Sequence, residues 1–273
     1  MHPILFEAGP LTITWYGVMM ATGFLAGLVN WVFISRKEGR DFSYCSDLLF
    51  WIMFSGLLGA RVAYVLSNPA QYIKNPAEII MIWEGGLVYY GGFLGSGIAL
   101  IIFARKHRED IRGLLDFVVV SVPLAHFFGR IGCFLNGCCY GKIWHGPLGV
   151  RFPAGSYAWY RHVDMGLISR YTARSLPVHP VQLYESAFNL LVYFILLRAY
   201  TKRDRMRSGR ILALYCFTYP PGRFLLEFLR GDHQTFIMGL TVSQATSLFL
   251  ILLGIVALRF PGKGRLAELQ DQT

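Results

Sequence analysis

Apolar residues gather along this 273-residue chain into seven runs separated by short polar stretches. A hydrocarbon core of about 30 Å is crossed by roughly 20 helical residues, and runs of that kind lie near 13–34, 45–66, 87–104, 114–132, 183–200, 209–229 and 240–260. The pattern predicts seven transmembrane helices. Glycines blur the third run and Pro123 interrupts the fourth. One connection, 133–182, is much longer than the rest and rich in Gly, Trp, Tyr and Pro. Loops of that length are usually functional or unstructured, and Trp144, Tyr157, Trp159 and Tyr160 suit a membrane interface. The predicted fold class is therefore all-α: a polytopic protein forming a single integral membrane domain over 1–273, with an external head at 133–182 between spans four and five.

Basic residues divide the connections into two kinds. Arg36, Lys37 and Arg40 follow the first run, Arg105, Lys106, Arg108 and Arg112 the third, Lys202, Arg203, Arg205 and Arg207 the fifth, and Arg259, Lys263 and Arg265 the seventh. The alternate connections offer little besides Lys74 and Arg230. By the positive-inside rule the N-terminus faces outward and the C-terminus the cytoplasm, and the charges of the long connection do not count against this. The first ten residues contain Glu7 and no Lys or Arg, which argues against a cleaved signal peptide.

Composition agrees with a lipid solvent. The chain is 54% hydrophobic and 15% charged, with a mean hydropathy of +0.43, more apolar than a soluble core of this size can bury. Its net charge of +10 sits in short clusters between apolar runs, where anionic head groups and topology signals act. Nucleic acid is not an expected partner. Of five cysteines, Cys45 and Cys216 lie in apolar segments, and no disulfide framework follows from an odd count.

Ionisable side chains inside apolar runs are costly unless they face a polar cavity, which marks Arg61, Asp116, Arg130, Glu185, Arg223 and Glu227. Asp116 reads first as a helix-pairing group, and for Arg61 a structural and a functional role weigh equally. Arg223, Glu227 and Arg230 recur at i, i+4 and i+7, one face of a helix. A glutamate between two arginines can fix a guanidinium while leaving donors for a phosphate. Gly129-Arg130-Ile131-Gly132 closes the fourth run, where glycines let backbone N–H groups approach an anion. His179-Pro180-Val181-Gln182-Leu183-Tyr184-Glu185 opens the fifth, where Glu185 also suits a helix N-terminus without any chemistry.

These motifs, in this order, resemble those of the prolipoprotein diacylglyceryl transferases. The likeness includes Trp15-Tyr16-Gly17, Gly59-Ala60-Arg61, Trp83-Glu84-Gly85-Gly86 with Gly91-Gly92, and Arg223-Phe224-Leu225-Leu226-Glu227-Phe228-Leu229-Arg230. It implies a bacterial inner-membrane enzyme that moves the diacylglyceryl group of phosphatidylglycerol to the cysteine thiol of a prolipoprotein signal peptide, forming a thioether and releasing glycerol phosphate. The resemblance gives catalytic roles to Arg130, Arg223 and Glu227 and a lipid-binding one to Tyr16; Tyr90, in place of a family histidine, is taken as a catalytic hydrogen-bond donor, and Arg61, Asn136, His179, Gln182, Tyr184, Glu185 and Arg230 as substrate-binding residues. No cofactor is implied.

Three positions depart from that signature: Cys133 stands for its asparagine, Cys138 for its glutamate, and Tyr90 for its histidine. Loss of the histidine removes a base suited to neutral pH, although Tyr90 still offers a hydrogen-bond donor. In the main reading the nucleophile belongs to the substrate, Cys133, Cys138 and Cys139 fill space, and a cysteine-free chain retains transfer. In a second reading one of these cysteines is itself the nucleophile of a related transferase with another acceptor; a catalytically inactive lipid-binding paralogue is a third. A metal is not expected, because the three cysteines contain no C-x-x-C pair.

Overall fold

The computed structural model describes residues 4–8, 11–36, 38–202, 208–232, 235–237 and 239–259. The chain is mainly helical: α1 (Trp15–Ser35), α2 (Phe42–Ser67), α3 (Pro69–Lys74), α4 (Tyr89–Lys106), α5 (Ile111–Val119), α6 (Val122–Asn136), α7 (Tyr157–Asp164), α8 (Val181–Thr201), α9 (Arg210–Glu227) and α10 (Val242–Arg259). Two antiparallel hairpins accompany them, β1 (Ile4–Ala8) with β2 (Leu11–Thr14), and β3 (Thr235–Ile237) with β4 (Leu240–Thr241). Every apolar run of the sequence falls on a helix, and the fourth falls on two, because the chain breaks at Val120 and Ser121 before Pro123. Among the described residues, four helical stretches have the length and apolarity to cross a membrane: α1, α2, the α5–α6 pair and α10. Large apolar side chains such as Leu25, Val29, Phe194 and Val256 remain exposed on them and their neighbours, as a lipid-facing surface requires. The helices outside that group are glycine-rich (α4) or carry Gln182, Glu185, Asn189, Arg223 and Glu227 (α8, α9).

The chain forms two compact units, residues 28–115 and residues 1–27 with 116–273. In the first, α2 and α4 cross at glycines. A Cβ on Gly59 would collide with the Gly91 carbonyl oxygen, and one on Gly95 with that of Ser55. Small residues at a crossing allow this approach in membranes. Behind the crossing Arg61 is buried and donates from Nε to the Ile79 carbonyl (2.8 Å), from Nη1 to Gly85 (2.7 Å) and Gly86 (3.1 Å), and from Nη2 to Met81 (3.3 Å) and Glu78. A guanidinium has five N–H groups, so this one is fully engaged with main chain. Gly85 and Gly86 adopt φ of 88° and 73° to present those carbonyls.

In the second unit, α6 packs on α8, and α9 lies against both α8 and α10. Asp116 caps α9 from a distant part of the chain, accepting from the Gly209 and Leu212 N–H groups at 2.8 Å each. Its role is the structural one that the sequence favoured. The connection between α6 and α8 is folded around Tyr140, Phe152, Ala158 and Val178. Ser156 caps α7, and Trp159 Nε1 donates to the Thr172 carbonyl at 2.7 Å. Backbone bonds tie this connection to the helices: Gly141 N–H to His179 (2.9 Å), Lys142 N–H to Leu229 (2.8 Å) and Gly231 N–H to Tyr140 (3.0 Å). The connection therefore seats the ends of α6, α8 and α9 side by side.

Candidate functional site

Where those three helix ends meet, a buried chain of charge runs through four side chains. Arg130 Nη2 lies 2.9 Å from Glu185 Oε1, and the same oxygen lies 3.3 Å from Arg223 Nε. Arg223 Nη1 then contacts Glu227 Oε2 at 2.5 Å, and Arg223 Nη2 donates to Ser243 Oγ at 2.8 Å. Glu185, Arg223 and Glu227 are buried, whereas the Arg130 side chain keeps 21% of its surface. Charges taken this far from water persist only when paired and hydrogen-bonded. The arrangement makes Arg223 a fixed donor, oriented from three sides, and leaves Arg130 the arginine with an accessible face.

Arg230 departs from the expected helix face. α9 ends at Glu227, so Arg230 lies in the following turn, bridged to Gly141 and bound through Nε and Nη2 to Asp232 at 3.0 and 3.1 Å. It is still 3.8 Å from Glu227 Oε2. Early termination of the helix, and not its periodicity, decides where this guanidinium points.

The end of α6 explains the cysteines. Gly137 takes the left-handed conformation (φ 73°), its N–H bonds to the Phe134 carbonyl at 3.2 Å, and the Cys138 N–H bonds to that of Cys133 at 3.2 Å. This pair of bonds is a Schellman closure, which folds the chain back over the last helical turn. Cys139 then also adopts a positive φ, 59°, uncommon for a residue with a side chain. The result places the sulfurs of Cys133, Cys138 and Cys139 within 4.8 Å of one another, although their spacing contains no metal-binding pair. All five cysteines are free thiols. Within the trio, hydrogen bonds from Cys133 and Cys138 hold the Cys139 thiol below its ordinary range against the effect of burial, and the Arg230 and Arg130 charges act in the same sense.

The other residues marked by the sequence fall into three groups. Gln182 is fully buried and donates from Nε2 to the Cys138 carbonyl at 2.7 Å, so α8 holds the cysteine turn; Asn136 ends α6 within hydrogen-bonding reach of Cys138. Tyr16 opens α1 against α6, where a Cβ on Gly132 would lie 3.2 Å from its ring, and it shares the electrostatic environment of Arg130 and the three thiols. His179 and Tyr184 approach each other at 3.4 Å, with Trp144 stacked on the imidazole at 4.6 Å. Arg61 and Tyr90 belong to the other unit. Arg61 is the main-chain clamp described above, and Tyr90 is a half-exposed residue in the first turn of α4, edge-on to Tyr89 at 5.6 Å.

Two residues at the site escaped the sequence reading. Ser243, in the first turn of α10, carries no mark beyond being polar. His126 lies one turn before Arg130 on α6, its ring 5.7 Å from that of Tyr219 and its Nδ1 buried without a hydrogen-bond partner among the described residues. The i, i+4 spacing of two ionisable residues in one apolar run was the signal that could have found it.

Fold and site together define a helical membrane protein with two arginines held by buried carboxylates. Comparison with known proteins narrows the class: residues 3–260 match the sequence profile described as prolipoprotein diacylglyceryl transferase. A phosphatidylglycerol–prolipoprotein diacylglyceryl transferase of Clostridium tetani is 37% identical over 255 residues, covering 93% of this chain and 96% of that protein. Those of Xanthomonas euvesicatoria pv. vesicatoria and Francisella tularensis subsp. novicida are 34% and 33% identical, each over 94% of this chain and 90% and 92% of their own lengths. The chain belongs to the prolipoprotein diacylglyceryl transferase family, a family of membrane enzymes.

Proposed function

We propose that this protein transfers the diacylglyceryl group of phosphatidylglycerol to the signal-peptide cysteine of prolipoproteins. The observation that carries the reading is the buried Arg130–Glu185–Arg223–Glu227 chain, in a protein whose relatives bear that activity in their names. The substrate thiol gives up its proton and attacks the glycerol carbon that bears the phosphate. A C–S bond forms, the C–O bond breaks, and its electron pair leaves on glycerol phosphate. Arg130, with its accessible face, binds the phosphate; Arg223, fixed by Glu185, Glu227 and Ser243, supplies a preorganised donor where charge develops. Tyr16, Asn136, Gln182, His179, Tyr184 and Arg230 line or support the approach. Arg61, whose five donors are engaged by main chain, acts by shaping its loop. Tyr90 serves as a hydrogen-bond donor in its own unit.

The same proposal sets the protein in a bacterial inner membrane, as one integral domain over 1–273 with seven spans on the helices that match the seven apolar runs. The N-terminus and the 133–182 head face outward and the C-terminus faces the cytoplasm. The charges of Arg36, Arg40, Arg105 and Arg112 support this; Lys37, Arg203, Arg205, Arg207, Lys263 and Arg265 lie outside the described residues. Expression in a bacterium depleted of its own diacylglyceryl transferase is expected to restore lipoprotein modification and growth. Well-expressed protein that leaves the precursors unmodified overturns the reading.

A further inference from the structure

The thiol trio carries more than the reading above asks of it. Cys133, Cys138 and Cys139 are neither sealed nor fully exposed, and their sulfurs lie within 4.8 Å of one another. Zinc binds thiolate at about 2.3 Å, which sets tetrahedral sulfur ligands about 3.8 Å apart, a change that rotamer adjustment supplies. Three protein ligands with one open position is the arrangement of a reactive zinc centre, whereas a structural one is closed by four. The backbone is committed to this convergence. Gly137 closes the helix, Cys139 holds a positive φ, and the buried Gln182 amide fixes the Cys138 carbonyl between them. Unusual backbone conformations of this kind persist where the surroundings impose them, commonly at functional sites.

We infer that Cys133, Cys138 and Cys139 bind a zinc ion whose fourth position takes the acceptor thiol of the substrate. This deepens, and rests on, the proposed transfer reaction. The acceptor cysteine coordinates as thiolate, its proton passing to water, because a metal-bound thiol is deprotonated outright. Its sulfur then forms the C–S bond as the C–O bond breaks and the electron pair departs with glycerol phosphate. Zinc keeps its charge, and no oxidant or reductant is consumed. The space-filling role expected from the cysteine spacing gives way to a binding one, and the reaction no longer needs a dedicated side-chain base for the thiol.

The test uses the full-length protein in detergent or nanodiscs, reduced before loading. Zinc content is measured directly, and Co2+ titration reads sulfur-to-cobalt charge-transfer absorption. Transfer is followed with phosphatidylglycerol and a signal-peptide substrate. One metal ion per chain is expected, with affinity falling by about 100-fold or more in each of C133S, C138S and C139S, and unchanged in C45S and C216S. The zinc-free protein should lose transfer and regain it with Zn2+. Should any serine variant fail to fold, the metal content and Co2+ spectrum of the unsubstituted protein still decide. Absence of thiolate–Co2+ absorption, or full transfer by zinc-free protein, overturns the inference while leaving the transfer reading intact. Metal bound by the three cysteines without transfer in any form overturns the transfer reading and the catalytic use of the zinc with it.

Discussion

Arg130 and Arg223 stand at the two sides of one carboxylate, and their unequal surroundings predict unequal consequences of substitution. Replacing Arg223 by Gln leaves Glu185 with Arg130 alone and strips Glu227 of its 2.5 Å partner, both deep in the protein. Breaking a buried pair in this way typically costs about 3–5 kcal/mol. Arg130→Gln leaves Glu185 paired with Arg223 at 3.3 Å, so its stability loss should be smaller. Both should lower transfer by about 100-fold or more, the effect of removing a donor aimed at developing charge, and Lys should rescue either poorly because it lacks the planar fork. Thermal unfolding in detergent, measured beside transfer rates, checks both halves; full activity in both Gln variants rejects the phosphate assignment. Arg130, Arg223, Glu185 and Glu227 were legible in the sequence because charge is rare in apolar runs. Arg61 carried the same mark, but its partners are five carbonyls in a loop 17–25 residues away, and no local pattern announces where a carbonyl will point.

Helices were legible for a simple reason: lipid forces long apolar runs, and each run of the sequence is helical in the structure. Their ends were not. α9 stops at Glu227 and redirects Arg230, and α6 closes through Gly137 and brings three sulfurs together; both outcomes depend on backbone angles that the spacing does not contain. The connection between α6 and α8 makes a prediction of its own. His162 is buried on α7 and accepts the Leu176 N–H at 3.2 Å through Nδ1. Burial holds its pKa below the ordinary value, so the folded state binds a proton less readily than the unfolded one. Its contribution to stability is complete above about 6.5 and is lost as the pH falls from there toward the folded value. Amide exchange across 150–178 should therefore accelerate between pH 7 and pH 5, and His162→Gln should abolish that dependence. Equal protection at both pH values would contradict it.

For the whole molecule, the proposed topology is a matter of sidedness. Cysteine labelling or reporter fusions should place residues 108 and 265 in the cytoplasm and residue 157 outside; an outward C-terminus overturns the orientation. Of the whole-chain organisation, the order of the helices and the long connection between α6 and α8 were legible, because apolar runs and their interruptions are read directly from the sequence. The division into residues 28–115 and the remainder was not, because it follows from which helices pack together.

The carboxylate shared by Arg130 and Arg223 has a consequence for how a lipid arrives. Two arginines and two glutamates balance within the site before any ligand is present, so it holds no charge vacancy for a phosphate to fill. In the proposed reaction an anionic head group would enter by exchange, drawing Arg130 out of its ion pair with Glu185 while Arg223 keeps the glutamate. On that proposal Glu185 would work as a counter-ion on loan, and the protein would resemble a one-site ion exchanger set in lipid: neutral when idle, and closed to head groups that cannot outbid a carboxylate.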